Sequence, residues 1–193
     1  QKMVFQPVMP YNRFPNSLKV KTSRPRDNQK SRLYAAEWEC FGRSSMEFKD
    51  IKQLEDYLWR VLENRYVQKK YLIAREILSG TQVLRVDNGA GYRQATTLWH
   101  PGLIQMTFPR RSRCSWQVLH ELAHVFTPQD IQAHGREFAR TYLHLVRIFF
   151  GEEIQNKFKA GMKKHNCKYS RTHSRWKNPP TPEEKIELLA RLK

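Results

Sequence analysis

The run His120-Glu121-Leu122-Ala123-His124 constrains this chain more than any other five residues in it. In a helix, positions i and i+4 share one face and stand about 6 Å apart along the axis. Two imidazoles so placed can share one Zn²⁺ at about 2 Å each. Glu121 then lies beside the metal, where it can take a proton from water. The surroundings suit a helix. The window is apolar, it follows a strand pattern, and Val118, Leu122, Val125 and Phe126 can face a core. From composition alone an HExxH arises with a probability of about 2 in 100, so two histidines that merely decorate a buried helix are the weaker reading.

A catalytic mononuclear site needs a third protein ligand and one open position. Two residues compete for the third place. Asp130 follows His124 by six, where a metzincin-type HExxHxxGxxH/D pattern puts its last ligand. That pattern needs glycine where this chain has Thr127, followed at once by Pro128, so the tight turn is not encoded. His134 is preferred. It follows a loop long enough for the chain to reverse, and it opens a helix through Ala133-His134-Gly135-Arg136-Glu137-Phe138. Glu137 is a candidate hydrogen-bond partner for a ligand imidazole. His144, in mid-helix, reads as a packed or solvated histidine.

Around this helix the pattern is α+β. Ile51, Leu54, Tyr57, Leu58, Val61 and Leu62 form an apolar stripe behind Asp50, a plausible N-cap. Residues 82–86 and 102–108 read as strands, with a turn at Asn88-Gly89 to Gly91. Ser115 is placed to cap a helix over 116–127, which Pro128 ends. Further helices are expected over 135–150, ended by Gly151, and over 152–164. The whole predicts a small antiparallel sheet with the HExxH helix and further helices packed around it. Residues 102–108 are either an ordinary core strand or an edge strand that pairs with an extended substrate.

Charge divides the chain into three. Residues 1–33 carry eight Lys/Arg against one acid, residues 157–193 eleven against three, and the middle sixteen against fourteen. The expected organisation is an extended basic arm over 1–31, a metal-binding domain over 32–164, and a basic tail with a short helix over 165–193. Such arms favour a polyanionic partner, nucleic acid or an assembly containing it. In the tail Lys163, Lys164, Lys168, Arg171, Arg175 and Lys177 surround Tyr169 and Trp176, which can stack on bases or pack on the domain. His165, Cys167 and His173 have ligand chemistry, but no common zinc-finger spacing. A mean hydropathy of −0.76 and the lack of any apolar run near 18 residues predict no membrane span. No basic-then-apolar leader opens the chain. Three scattered cysteines point to a reducing, cytoplasmic setting, or to a virion if the source is a phage.

HELAH followed by HGREF resembles the SprT-like zinc proteins, in which HExxH precedes an HGxxF/W-type segment bearing the third histidine. The chain is more closely similar to an uncharacterised metallohydrolase family of actinobacteria and their phages. That similarity spans about residues 26–160 and opens with Arg26-Asp27-Asn28-Gln29-Lys30-Ser31-Arg32-Leu33-Tyr34-Ala35-Ala36-Glu37. The resemblance implies a zincin-like fold. It also implies one Zn²⁺ per chain on His120, His124 and His134, and Glu121 as general base; it implies no substrate. The expected function is a zinc-dependent hydrolase, foremost a peptidase. The alternative is a nucleic-acid-associated or phage-particle protein in which the same domain is a scaffold. An open fourth metal position favours the enzyme.

Overall fold

The computed structural model describes residues 27–42, 48–92 and 94–169. Four helices come first: α1 (Lys30–Phe41), α2 (Ile51–Glu63), α3 (Arg65–Lys70) and α4 (Leu72–Leu78). Asp50 does cap α2, accepting from the Gln53 backbone N–H at 2.8 Å, and the expected stripe buries Leu54, Leu58, Val61 and Leu62. Three strands follow, β1 (Val83–Asn88), β2 (Thr96–His100) and β3 (Leu103–Phe108). The last elements are a 3₁₀ turn (Arg110–Ser112), α5 (Ser115–Val125) and α6 (Arg136–Lys164). Ser115 begins α5 rather than capping it, and no side chain caps that end.

The sheet is mixed, not antiparallel. Its order is β1-β3-β2, with β3 parallel to β1 and antiparallel to β2. The reason lies at two turns. Asn88-Gly89 does not reverse the chain into a hairpin. Gly89 instead packs on the end of β3, its N–H donating to the Phe108 carbonyl, and a Cβ there would sit 2.6 Å from the Pro109 nitrogen. The hairpin is made later by Pro101-Gly102, where Gly102 has φ +71°, which suits a type II turn. Residues 102–108 therefore supply the central strand, with Ile104, Met106 and Phe108 fully buried. Among the described residues β1 and β2 are the two edge strands.

α5 lies in the middle of the molecule, against the sheet on one side and α6 on the other. Trp116, Val118, Leu119, Leu122, Ala123 and Val125 bury it nearly all round, as a central helix requires. α6 has two limbs. Gly151 adopts φ +86° and ψ 176° between them, a conformation open to glycine. Twelve residues of unbroken helix would separate Leu143 from Gln155 by about 18 Å. Instead the Gln155 amide donates to the Leu143 carbonyl at 3.0 Å, so the second limb folds back on the first. The helices expected over 135–150 and 152–164 are these limbs.

Both domain boundaries move outward. Gln29, expected in the arm, is buried. Its amide nitrogen donates to the carbonyls of His134 and Lys168, and its oxygen accepts from the Lys168 N–H at 2.7 Å. One side chain thus ties residues 27–31, the approach to α6 and residues 165–169 into the body. The rest of both arms lies outside the described residues. That includes Arg171, Arg175, Trp176, Lys177 and the expected short helix. No described helix is long and apolar enough to cross a membrane.

Candidate metal centre

His120, His124 and His134 each offer a ring nitrogen, and the three lie within 4.8 Å of one another. α5 supplies the first two by its pitch. The helix then stops: the Thr127 hydroxyl donates back to the Ala123 carbonyl at 2.6 Å, and Pro128 follows. The loop to α6 is pinned at Gln132, whose amide donates to the Asn28 side chain at 2.7 Å, and at the His134 carbonyl by Gln29. Phe138, one turn into α6, packs beneath all three imidazoles with ring centroids 4.3–5.0 Å away. Asp130 is exposed and stands outside this group.

Two carboxylates orient the ligands. Glu37 Oε1 lies 2.5 Å from His120 Nδ1, and Asp27 Oδ2 lies 2.5 Å from His134 Nδ1. A carboxylate accepts, so each Nδ1 is the donor and each Nε2 is left as a lone pair turned inward. The two Nε2 atoms face each other at 3.3 Å. Two ligands at about 2.05 Å in tetrahedral geometry stand about 3.3 Å apart, so the residues fit a zinc ion between them. Glu137, expected in the orienting role, does not take it. It is half-buried in the first turn of α6 and is not bonded to any of the three imidazoles. Glu37 and Asp27 escaped the sequence reading. Glu37 did carry a signal: it lies on the α1 stripe of Leu33, Ala36, Cys40 and Phe41, a carboxylate where a core residue belongs.

Burial, and then the neighbouring His120, holds His134 down at about 4, against the opposing pull of Asp27. Burial likewise drives His124 far below the usual histidine range, with His120 and His134 adding to it. Both are neutral near pH 7, as metal ligands must be. His120 differs. Burial works against its charge, but the charge and hydrogen bond of Glu37 prevail and raise it.

Glu121 is buried beside the triad, and burial raises its carboxyl above the ordinary range while the Thr97 hydroxyl donates to its Oε2 at 2.6 Å. Tyr34 stands across the opening, its hydroxyl 3.5 Å from His134 Nε2. Burial and then the charges of Glu37, Glu121 and Asp27 raise its pKa, so it remains a neutral O–H donor. Tyr142 lies wholly inside and donates to the Trp116 carbonyl at 3.2 Å.

Two cavities of about 240 Å³ each meet at Tyr34, Gln94, Ala95 and Glu121 and form one groove past the histidines. Thr96, Thr97, Leu98 and Trp99 line it in unbroken succession. A strand's face would contribute alternate residues, so the groove runs along the edge of β2 that is unpaired among the described residues. The tail residues lie elsewhere. Lys163 and Lys168 are exposed, Lys164 pairs with Glu39 at 3.0 Å, and Tyr169 packs against the core.

The fold and site together define an α+β domain built around a buried three-histidine constellation with a carboxylate beside it. No family model, curated protein or solved structure matches the chain.

Proposed function

We propose that this protein is a zinc-dependent metallohydrolase of zincin-like type that cleaves peptide bonds, with Glu121 as its general base. The observation that carries the reading is the open groove: the triad, Glu121 and the edge of β2 left unpaired among the described residues all border it. A zinc ion on His120, His124 and His134 would supply a Lewis acid and lower the pKa of water at the site. An extended peptide would add to β2 through main-chain hydrogen bonds, bringing a scissile carbonyl past the histidines. Glu121 Oε2 would take the proton of the attacking water and give it to the leaving amine. Thr97 orients that carboxylate, and Tyr34 is placed to donate its O–H to the oxygen on which charge develops. A pure scaffold would close the fourth position with a further protein donor, and no described His, Cys, Asp or Glu joins the three histidines.

The basic arms are read as delivering this domain to nucleic acid or to proteins carried on it. The testing experiment is cleavage of a broad peptide library by the zinc-loaded chain and its Glu121→Gln variant. That variant should keep fold and metal and lose turnover by a factor of about 10³ or more. Equal cleavage by both would refute the role of Glu121.

A further inference from the structure

A second concave site lies across α6 from the histidines. Phe138 and Tyr142 face the triad. Arg140 and His144 follow them by two residues, about 200° around the helix, and Arg147 lies about one turn beyond His144, so all three occupy the opposite face. The reversal at Gly151 brings Lys159 back beside them, the end of α3 adds Lys70, and Tyr169 completes the wall. The cavity measures about 320 Å³, and no carboxylate is among its described lining residues.

The cations there have little to neutralise them. Arg147 meets Glu152 at 3.7 Å, with both side chains more than half exposed. Lys159 bonds the uncharged Gln155 side chain at 3.0 Å, and Lys70 lies 5.5 Å over the Tyr71 ring. The field is felt locally. Burial and then Arg140 push the Lys70 ammonium down. Burial, Lys70 and Arg147 push His144 down to about 4. Like charges gathered in a concavity call for an anion. Guanidiniums suit the oxygens of a phosphate, and an aromatic ring in the same wall suits a base.

We propose that this cavity binds a backbone phosphate of single-stranded nucleic acid, with the neighbouring base stacked on Tyr169. A duplex offers no open base to that ring, which is why the single strand is favoured. The site is independent of the hydrolase reading. It also relocates part of the affinity: the central region has almost no net charge, yet its Lys70, Arg140 and Arg147 gather with Lys159 at this one cavity.

The test uses the full chain, a fluorescein-labelled oligothymidylate and anisotropy across a salt series. Arg140→Gln/Arg147→Gln should weaken binding about tenfold and make the log–log salt slope shallower by about 0.7 per lost phosphate. Lys52→Gln/Arg60→Gln removes the same charge from two exposed cations on α2 and should cost less than about twofold. Tyr169→Leu should weaken binding about fivefold with the slope unchanged. Lys70→Gln/Lys159→Gln provides the same comparison if the arginine pair fails to fold. Equal losses in pocket and control pairs, or none in the pocket pair, would overturn the site. So would displacement of the oligonucleotide by poly-glutamate as readily as by unlabelled oligothymidylate, since the cavity would then not distinguish phosphate.

Discussion

Glu37 Oε1 reaches His120 Nδ1 at 2.5 Å from 83 residues away in sequence, and the contact is buried on both sides. It fixes the tautomer that turns Nε2 toward His134. Glu37→Gln keeps an acceptor but removes the charge, so zinc affinity should fall about 10–100-fold with the fold retained. Competition against a chromophoric chelator measures this. An unchanged affinity would show that His120 is oriented by packing alone. Glu37→Ala leaves a buried N–H without a partner and should also cost about 1–3 kcal/mol of stability.

His134 and Asp130 make opposite predictions. His134→Ala removes a ring nitrogen from the cluster, whereas Asp130 is exposed outside it. Metal analysis after gel filtration should find about one zinc per chain in the native protein and in Asp130→Ala. It should find far less in His134→Ala. Asp27→Asn should fall between, because His134 keeps its place through Gln29 while its Nδ1–H loses the charged acceptor. Comparable zinc loss in both alanine variants would remove His134 from the ligand set.

What the sequence disclosed followed the range of its signals. HExxH and Phe138 were legible because helical pitch makes them local: i to i+4 within α5, and one turn after His134 in α6. The Asp50 cap and the Gly151 break were legible for the same reason. β2 was missed although Thr96-Thr97-Leu98-Trp99 is β-branched and aromatic, because two polar residues followed by two apolar ones show no alternation. The mixed sheet was missed because Asn88-Gly89 has hairpin chemistry, and only its packing on Pro109 shows that the chain goes elsewhere. Asp27, Tyr34 and Glu37 act across 83 to 107 residues. No local pattern encodes that distance, apart from the acid on the apolar stripe of α1.

Phe138 couples the site to the core. It is fully buried and touches all three imidazoles. Phe138→Ala should cost about 3–5 kcal/mol by opening a cavity, and Phe138→Leu markedly less. If the ring also spaces the ligands, zinc should leave the alanine variant faster under chelator at a temperature where circular dichroism shows it folded. A stability loss without faster metal release would confine Phe138 to packing.

Thr97 should affect turnover without affecting metal. Its hydroxyl holds Glu121 Oε2 at 2.6 Å from the strand that borders the groove. Thr97→Val keeps the shape and removes the donor, leaving the carboxylate free to rotate. Turnover should drop about 10–100-fold with zinc content and melting temperature nearly unchanged. Thr97→Ser should restore most of the loss. Full activity in the valine variant would mean that Glu121 is positioned by α5 alone.

His144 sets an acid limit on stability separate from the metal. Its folded-state pKa is lowered to about 4 by burial, Lys70 and Arg147, against about 6.5 in an unfolded chain. Between those values the unfolded state binds a proton that the folded state refuses. Stability from this group is therefore complete above about pH 6.5 and declines as pH falls toward 4. His144→Gln cannot take that proton, so relative to the native chain it should gain stability as the solution is acidified. The triad also loses metal in acid, so both proteins are melted in chelator, where that contribution is common to them. The quantity read is the difference in melting temperature between variant and native chain at pH 7.5, 5.5 and 4.5. A difference that grows in the variant's favour at each step agrees with a neutral, field-depressed His144. A difference that stays constant across the three would place the ring in ordinary solvent, outside the field of the basic cavity.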